Sequence, residues 1–347
     1  MKKATVMLLT LGTFVMASQQ RVDALGGNPG FWPGDEANVA LFPQKVNNYN
    51  IAQFGGVGTD GGNTGWVSWG QDTKYGFSWA DGADNNMVNM YWGNGAMGVN
   101  FGLGMYGMDN GAAGDANVAT SGMDINFGWG QDMGFGEVGV TFANGSYDDG
   151  SEVTEHDPAT MDLGFSLRRD QAFWMFDKML VNFAMDTYNC DGDCTSGNEF
   201  ATTDMGLGVS FFTHMDVNES TKAMFAMGFG YGSSANDGFV EGAASSMITL
   251  PAFTFGVESA LWDFATVRVG ATKNYIISSS YQADADADAS TMQGGLPFDI
   301  NFGCGFNYGN FGIDLTVSEG LFNDPVKYAN GRNDDALSSS ATLTYTW

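Results

Sequence analysis

The chain has 347 residues; 50 are glycine, 14% are aromatic and only 15% are charged, and 40 acids against 13 bases give a formal net charge of -27. That balance excludes nucleic acid as a partner, because a phosphate backbone needs a basic surface. Three cysteines and two histidines are a poor inventory for zinc or nucleophilic catalysis, so neither an enzyme nor a tightly held cofactor is expected.

At the amino-terminus Lys2 and Lys3 precede an apolar run from Ala4 to Ala17, and no acid appears before Asp23. A basic start followed by an apolar core too short to span a bilayer stably reads as a secretory signal peptide. Val22-Asp23-Ala24 fits the small-residue rule for cleavage, and Val15-Met16-Ala17 is an alternative. The expectation taken forward is cleavage after Ala24, which makes 1–24 the leader. It removes Lys2, Lys3 and Arg21 against Asp23, so the mature chain carries -27 - 2 = -29. No other stretch approaches 18 uninterrupted apolar residues, so no transmembrane helix is expected.

Residues 25–48 form a separate segment. Gly26, Gly27, Pro29, Gly30, Pro33 and Gly34 make its first half irregular. Asp35 to Phe42 has room for a turn or two of helix, stopped by Pro43. Such a segment fits a periplasmic extension or a plug in a barrel mouth. It resembles the amino-terminal segment of the FadL-like long-chain fatty acid transporters and the related PorV-type barrels.

From residue 49 to 347 the pattern has a period of two, the mark of a strand with one apolar and one polar face. In Pro297–Tyr308, Phe298, Ile300, Phe302, Cys304 and Phe306 share one face, while Asp299, Asn301, Gly303, Gly305 and Asn307 share the other. The same alternation runs through Met97–Met105, Met123–Trp129, Val138–Phe142, Met161–Leu167, Met205–Phe211, Phe225–Tyr231, Val267–Ala271 and Phe311–Val317. Pro251 shifts the phase, which predicts a bulge. Short links near 71–73, 93–96, 131–134, 169–174, 215–220, 260–263 and 308–309 alternate with longer ones near 58–63, 81–86, 108–120, 145–159, 187–203, 232–246, 281–296 and 318–338. The mean hydropathy of -0.13 suits a transmembrane barrel, which hides apolar residues at alternate positions. The fold class predicted is an all-β, antiparallel up-and-down barrel of about 16 strands, or 14 if the weak early pair merges. A closed barrel with both termini on the short-turn side needs an even number, and closure leaves no sticky edge.

The last stretch, Ala341-Thr342-Leu343-Thr344-Tyr345-Thr346-Trp347, alternates strictly and stops on an aromatic. It resembles the terminal strand of bacterial outer-membrane β-barrels. That resemblance implies a place in the outer membrane, among lipid and lipopolysaccharide. It also implies that Tyr345 and Trp347 belong to a signal read by the barrel-assembly machinery.

Chemistry-bearing residues are few. On the polar strand faces, Asn100, Asp124, Asn126, Glu137, Asp162, Arg268, Asp299, Asn301 and Asp314 are candidates to line a lumen. Acids outnumber Arg268 there, so an open pore would favour cations and neutral solutes; otherwise these groups bond a plug or each other. Cys190 and Cys194, spaced C-x3-C in a long link, predict a loop disulfide in an oxidising envelope, and Cys304 a buried free thiol. Asp284, Asp286 and Asp288 resemble the start of a calcium loop, but Ala289 stands where glycine is required and Gly295 where the bidentate glutamate belongs. Only loosely held Ca2+ or Mg2+ is expected there. Gly102 to Gly107 matches a dinucleotide-binding glycine pattern but lies inside an alternating strand, where it instead leaves room or lets the wall curve. His156 and His214 fall at opposite ends of the predicted barrel, too far apart to share a catalytic site. The function expected is a channel for passive uptake of a small solute or lipid-like ligand, porin-like or FadL-like. The alternative is a non-conducting barrel of the PorV type that anchors or helps secrete surface proteins. What separates them is whether residues 25–48 fill the lumen.

Overall fold

A computed structural model describes residues 19–57, 64–80, 87–109, 119–148, 156–195, 198–237, 243–282, 290–296, 298–317 and 339–347. Among these residues sixteen strands form the barrel wall. They are Ile51–Val57 (β1), Thr64–Gly70 (β2), Lys74–Ala80 (β3), Met87–Gly93 (β4), Met97–Asp109 (β5), Ala119–Met133 (β6), Gly136–Asp148 (β7) and His156–Phe173 (β8). Then come Phe176–Thr195 (β9), Asn198–Asn218 (β10), Thr221–Asp237 (β11), Ala243–Trp262 (β12), Ala265–Gln282 (β13), Asp299–Tyr308 (β14), Phe311–Val317 (β15) and Ser339–Thr346 (β16). Each strand pairs antiparallel with the next, and β1 pairs with β16 as well as β2. The sheet therefore closes on itself, with sixteen strands rather than fourteen. The pairs Ser290–Thr291 and Gly294–Gly295 extend the seam along β13.

The strands differ in height. β1–β4, β15 and β16 have seven or eight residues, whereas β8–β13 have 17 to 21. About 9–11 tilted residues cross a bilayer, so the β8–β13 wall stands well above it on the long-link side. This corrects the sequence reading of 145–159, 187–203 and 232–246 as mainly loop. The ladders continue there after the apolar alternation has faded, because a strand that leaves the membrane keeps its hydrogen bonds but loses its reason to alternate. Residues 190–194 accordingly lie on β9, not in a loop.

Facing follows the predicted parity. Phe54, Met90, Phe101, Met105, Phe127 and Phe255 are all exposed on the outer surface, inverting the soluble rule that large apolar residues lie inside. At the short-turn end the outer rim is aromatic: Trp262 stacks on Phe264 at 5.7 Å, Phe311 meets Tyr345 at a tilt at 4.7 Å, and Tyr345 meets Trp347 at 6.0 Å. The predicted bulge at Pro251 appears as a register shift between Thr249 and Ala252.

Candidate functional site

The site is the lumen, and at the short-turn end the chain's own amino-terminal segment fills it. A six-residue helix, Gln19–Ala24 (α1), packs against β13–β16. Three 3-10 turns follow at Pro29–Phe31, Glu36–Val39 and Pro43–Asn48. Asn28 and Asp35 cap the first two, their side chains accepting from the backbone N–H groups of Gly30 and Ala37 at 2.9 Å. Pro43 opens the third turn as well as closing the segment before it, since its missing N–H costs nothing at the start of a helix.

Apolar contacts hold the plug on two sides. Leu25, Phe31, Trp32 and Phe42 pack on Leu180, Phe212, Met224 and Ala226 of β9–β11. Val39 and Val46 pack on Ile51, Trp66 and Tyr91 of β1, β2 and β4. Glycines on the inner wall allow close backbone approach. A methyl group at Gly303 would lie 2.5 Å from the Ala24 side chain, and one at Gly270 would overlap the plug backbone at Gly26.

Two buried charge clusters fix the plug's position. In the first, Arg168 is 4% exposed in its side chain. It donates from Nε to Glu137 at 2.6 Å, and from Nη1 to the Gly30 carbonyl at 2.9 Å and Asn38 Oδ1 at 2.6 Å. Lys45 of the plug pairs with the same Glu137, and the Arg168 guanidinium lies 4.6 Å over the Phe42 ring. In the second, Arg21 pairs with Asp35 of the plug and, at 3.0 Å, with Glu258 of β12. Arg268 of β13 donates to Glu258 at 2.6 Å and to Asp314 of β15 at 2.5 Å. Every buried charge in these clusters has a partner, as burial demands. Burial alone would lower the Arg21 pKa, but Asp35 and Glu258 outweigh it and raise it. Burial, reinforced by the Asp35 charge, pushes the Glu36 carboxyl up to about 7; Gln53 of β1 donates to it at 2.5 Å.

Above the plug the lining changes. Asn126 donates to Asn89 at 2.8 Å, and Asn100 donates to Asn126 at 3.0 Å, all three buried. Nearer the long-link end Asp162, Asp186 and Asp204 stand side by side in register on β8, β9 and β10. Tyr106 stacks on Tyr147 at 6.4 Å.

The predicted lumen residues therefore divide. Glu137, Arg268 and Asp314 bind the plug or each other. Asn100 and Asn126 belong to the asparagine ladder. Asp124 and Asp162 lie higher, and Asp299 and Asn301 follow the inward phase of β14, opposite Thr272 and Gly270. Cys190 is buried and disulfide-bonded; Cys304 is free as expected but only half-buried, because its strand face meets the outer surface; the side chain of Cys194 lies outside the described residues. Asp284, Asp286 and Asp288 also lie outside them, as does the His156 side chain. His214 faces the plug, edge-on to Trp32 at 5.3 Å. Sequence reasoning missed Arg168, Glu258 and Lys45 as plug anchors. The signal available was a charge of each sign on the polar phase of neighbouring strands.

An apolar outer belt, an aromatic rim and a polar, plugged interior decide the class. The chain is built as a transmembrane β-barrel. No protein-family model and no curated protein matches it. Among solved structures the barrel is similar to CdiB from Escherichia coli, at 11% identity and a TM-score of 0.42, covering 86% of this chain and 62% of that one. It is also similar to the alcaligin outer-membrane receptor FauA from Bordetella pertussis, at 9% identity and a TM-score of 0.34, covering 86% and 75%. A third is the siderophore receptor PirA from Pseudomonas aeruginosa, at 10% identity and a TM-score of 0.29, covering 86% and 79%.

Proposed function

We propose that this chain is exported, is inserted into the outer membrane through its closing strand, and serves there as a closed barrel that anchors or helps secrete surface proteins. The observation that supports this reading is the plug. Residues 19–48 occupy the short-turn half of the lumen, packed on both sides and held by two buried charge clusters. A passive channel needs an open water path, and a segment fixed this way opposes one. The tall β8–β13 wall is then the working face, presented beyond the lipid. Tyr345 and Trp347 at the aromatic rim suit a terminal signal for assembly.

A second reading is uptake gated by plug movement. It is favoured by the row of Asp162, Asp186 and Asp204 in the outer lumen, which would draw cationic or neutral solutes inward. Deleting the gene in its native cell separates the two. The anchoring role expects surface-shaved peptides of several exported proteins to disappear while small-solute uptake stays unchanged. An uptake defect with an intact surface proteome overturns it in favour of the gated channel.

A further inference from the structure

We propose that the leader is cut after Ala17, so that the mature chain begins at Ser18 and α1 is its amino-terminal latch. The sequence offers two small-residue sites, Val15-Met16-Ala17 and Val22-Asp23-Ala24, and the leader pattern alone does not separate them. The fold does, because the residues between the two sites are in use.

Gln20 alone joins two strands, β15 and β16. Its Nε2 donates to Ser340 Oγ at 2.7 Å, its Oε1 accepts from Thr342, and its backbone carbonyl accepts from Thr316 Oγ1 at 2.8 Å. Val22 and Ala24 are fully buried, and Ala24 fills the space that Gly303 leaves. Arg21 is the cation shared by Asp35, itself without solvent exposure, and Glu258. Cleavage after Ala24 would discard Arg21 and Gln20 together. Asp35 would lose the cation with which it is paired, and breaking a buried ion pair by removing one partner is strongly destabilising. Cleavage after Ala17 keeps every one of these contacts and falls where the apolar run of the leader ends. In that step water adds across the Ala17–Ser18 peptide bond, leaving the Ala17 carboxylate on the leader and the ammonium group on Ser18.

The latch ties the plug to β12–β16, the strands that complete the cylinder and meet β1. Processing at Ala17 thus sets how firmly the plug is held, not merely where the chain starts.

The test is the amino-terminus of the protein extracted from outer membranes, by intact mass and terminal sequencing. A start at Ser18 is expected; any other start overturns the proposal. Two variants check the assignment through processing, which precedes barrel folding and so does not depend on it. Ala17→Leu should leave the precursor uncut, and Ala24→Leu should be cut as the wild type is. Normal cutting of the first, or failure to cut the second, contradicts the site. For the latch, a chain with residues 1–17 joined directly to Leu25 should lose its resistance to heat unfolding in detergent at a lower temperature than wild type. An unchanged unfolding temperature overturns the latch.

Discussion

The half of the lumen nearest the short turns and the half nearest the long links share the same wall strands but not the same chemistry. In the lower half, inward positions carry Leu180, Phe212, Met224 and Trp66, all fully or almost fully buried against the plug or the wall beside it. In the upper half, the same phase of β9 and β10 carries Asp186 and Asp204, beside Asp162 of β8. That contrast marks where the plug sits. A strand facing lipid on one side and water on the other alternates apolar with polar. A strand facing lipid on one side and packed protein on the other is apolar on both. The adjacent pairs Leu180-Val181, Phe211-Phe212, Met224-Phe225 and Trp66-Val67 record the plug's footprint on the wall.

The largest expected effect tests the two halves against each other. Arg168→Ala leaves Glu137 and the Asn38 and Gly30 oxygens short of their buried cation, a loss on the order of 3–5 kcal/mol. Asp162→Asn in the upper half should cost no more than about 0.5 kcal/mol. Urea unfolding in lipid vesicles measures both, and equal costs would erase the distinction. Next, Leu180→Ala removes a side chain packed under Phe31 and Trp32 and should cost about 2–5 kcal/mol by the same measurement. Across the wall rather than along it, Phe302→Arg puts a charge into the lipid belt at roughly 2–4 kcal/mol, whereas replacing the inward Asn301 by Ser should be tolerated. Equal effects on folding into lipid would break the assigned facing.

The smallest effect concerns pH. Glu36 in the folded plug holds its proton up to about 7, against an ordinary 4.5. A raised acid binds more protons folded than unfolded, so its contribution is present below about 4.5 and is lost as pH rises through about 7. Plug protection from amide hydrogen exchange, corrected for the intrinsic pH dependence, should therefore weaken between these values. Glu36→Gln should flatten that change; a variant with the wild-type slope would assign the dependence elsewhere.

Much of this molecule was legible in the sequence. Strand parity, closure, the short-turn side of both termini and the bulge at Pro251 all follow from period-two patterning and link length. The strand count was bracketed, and the four seven-residue strands β1–β4 explain why: each gives only three or four positions of alternation. The height of β8–β13 was not legible, because pairing outside the bilayer leaves no apolar signature. Nor were the anchors legible as a set. Glu137, Arg268 and Asp314 could be read as inward-facing polar groups, but Lys45, the plug partner of Glu137, lies 92 residues away, and Arg21, the plug partner of Glu258, lies 237 residues away. No local period links them to the wall. Glu258, ten residues before Arg268, was within reach only if β12 and β13 were already known to pair in that register.

The plug closes the barrel, and single-channel conductance of the refolded mature chain in a planar bilayer puts that closure to the test. No steady current is expected from the correctly folded wild type, even at raised voltage. A steady, cation-preferring current from that same chain would contradict it and return the molecule to the class of open channels.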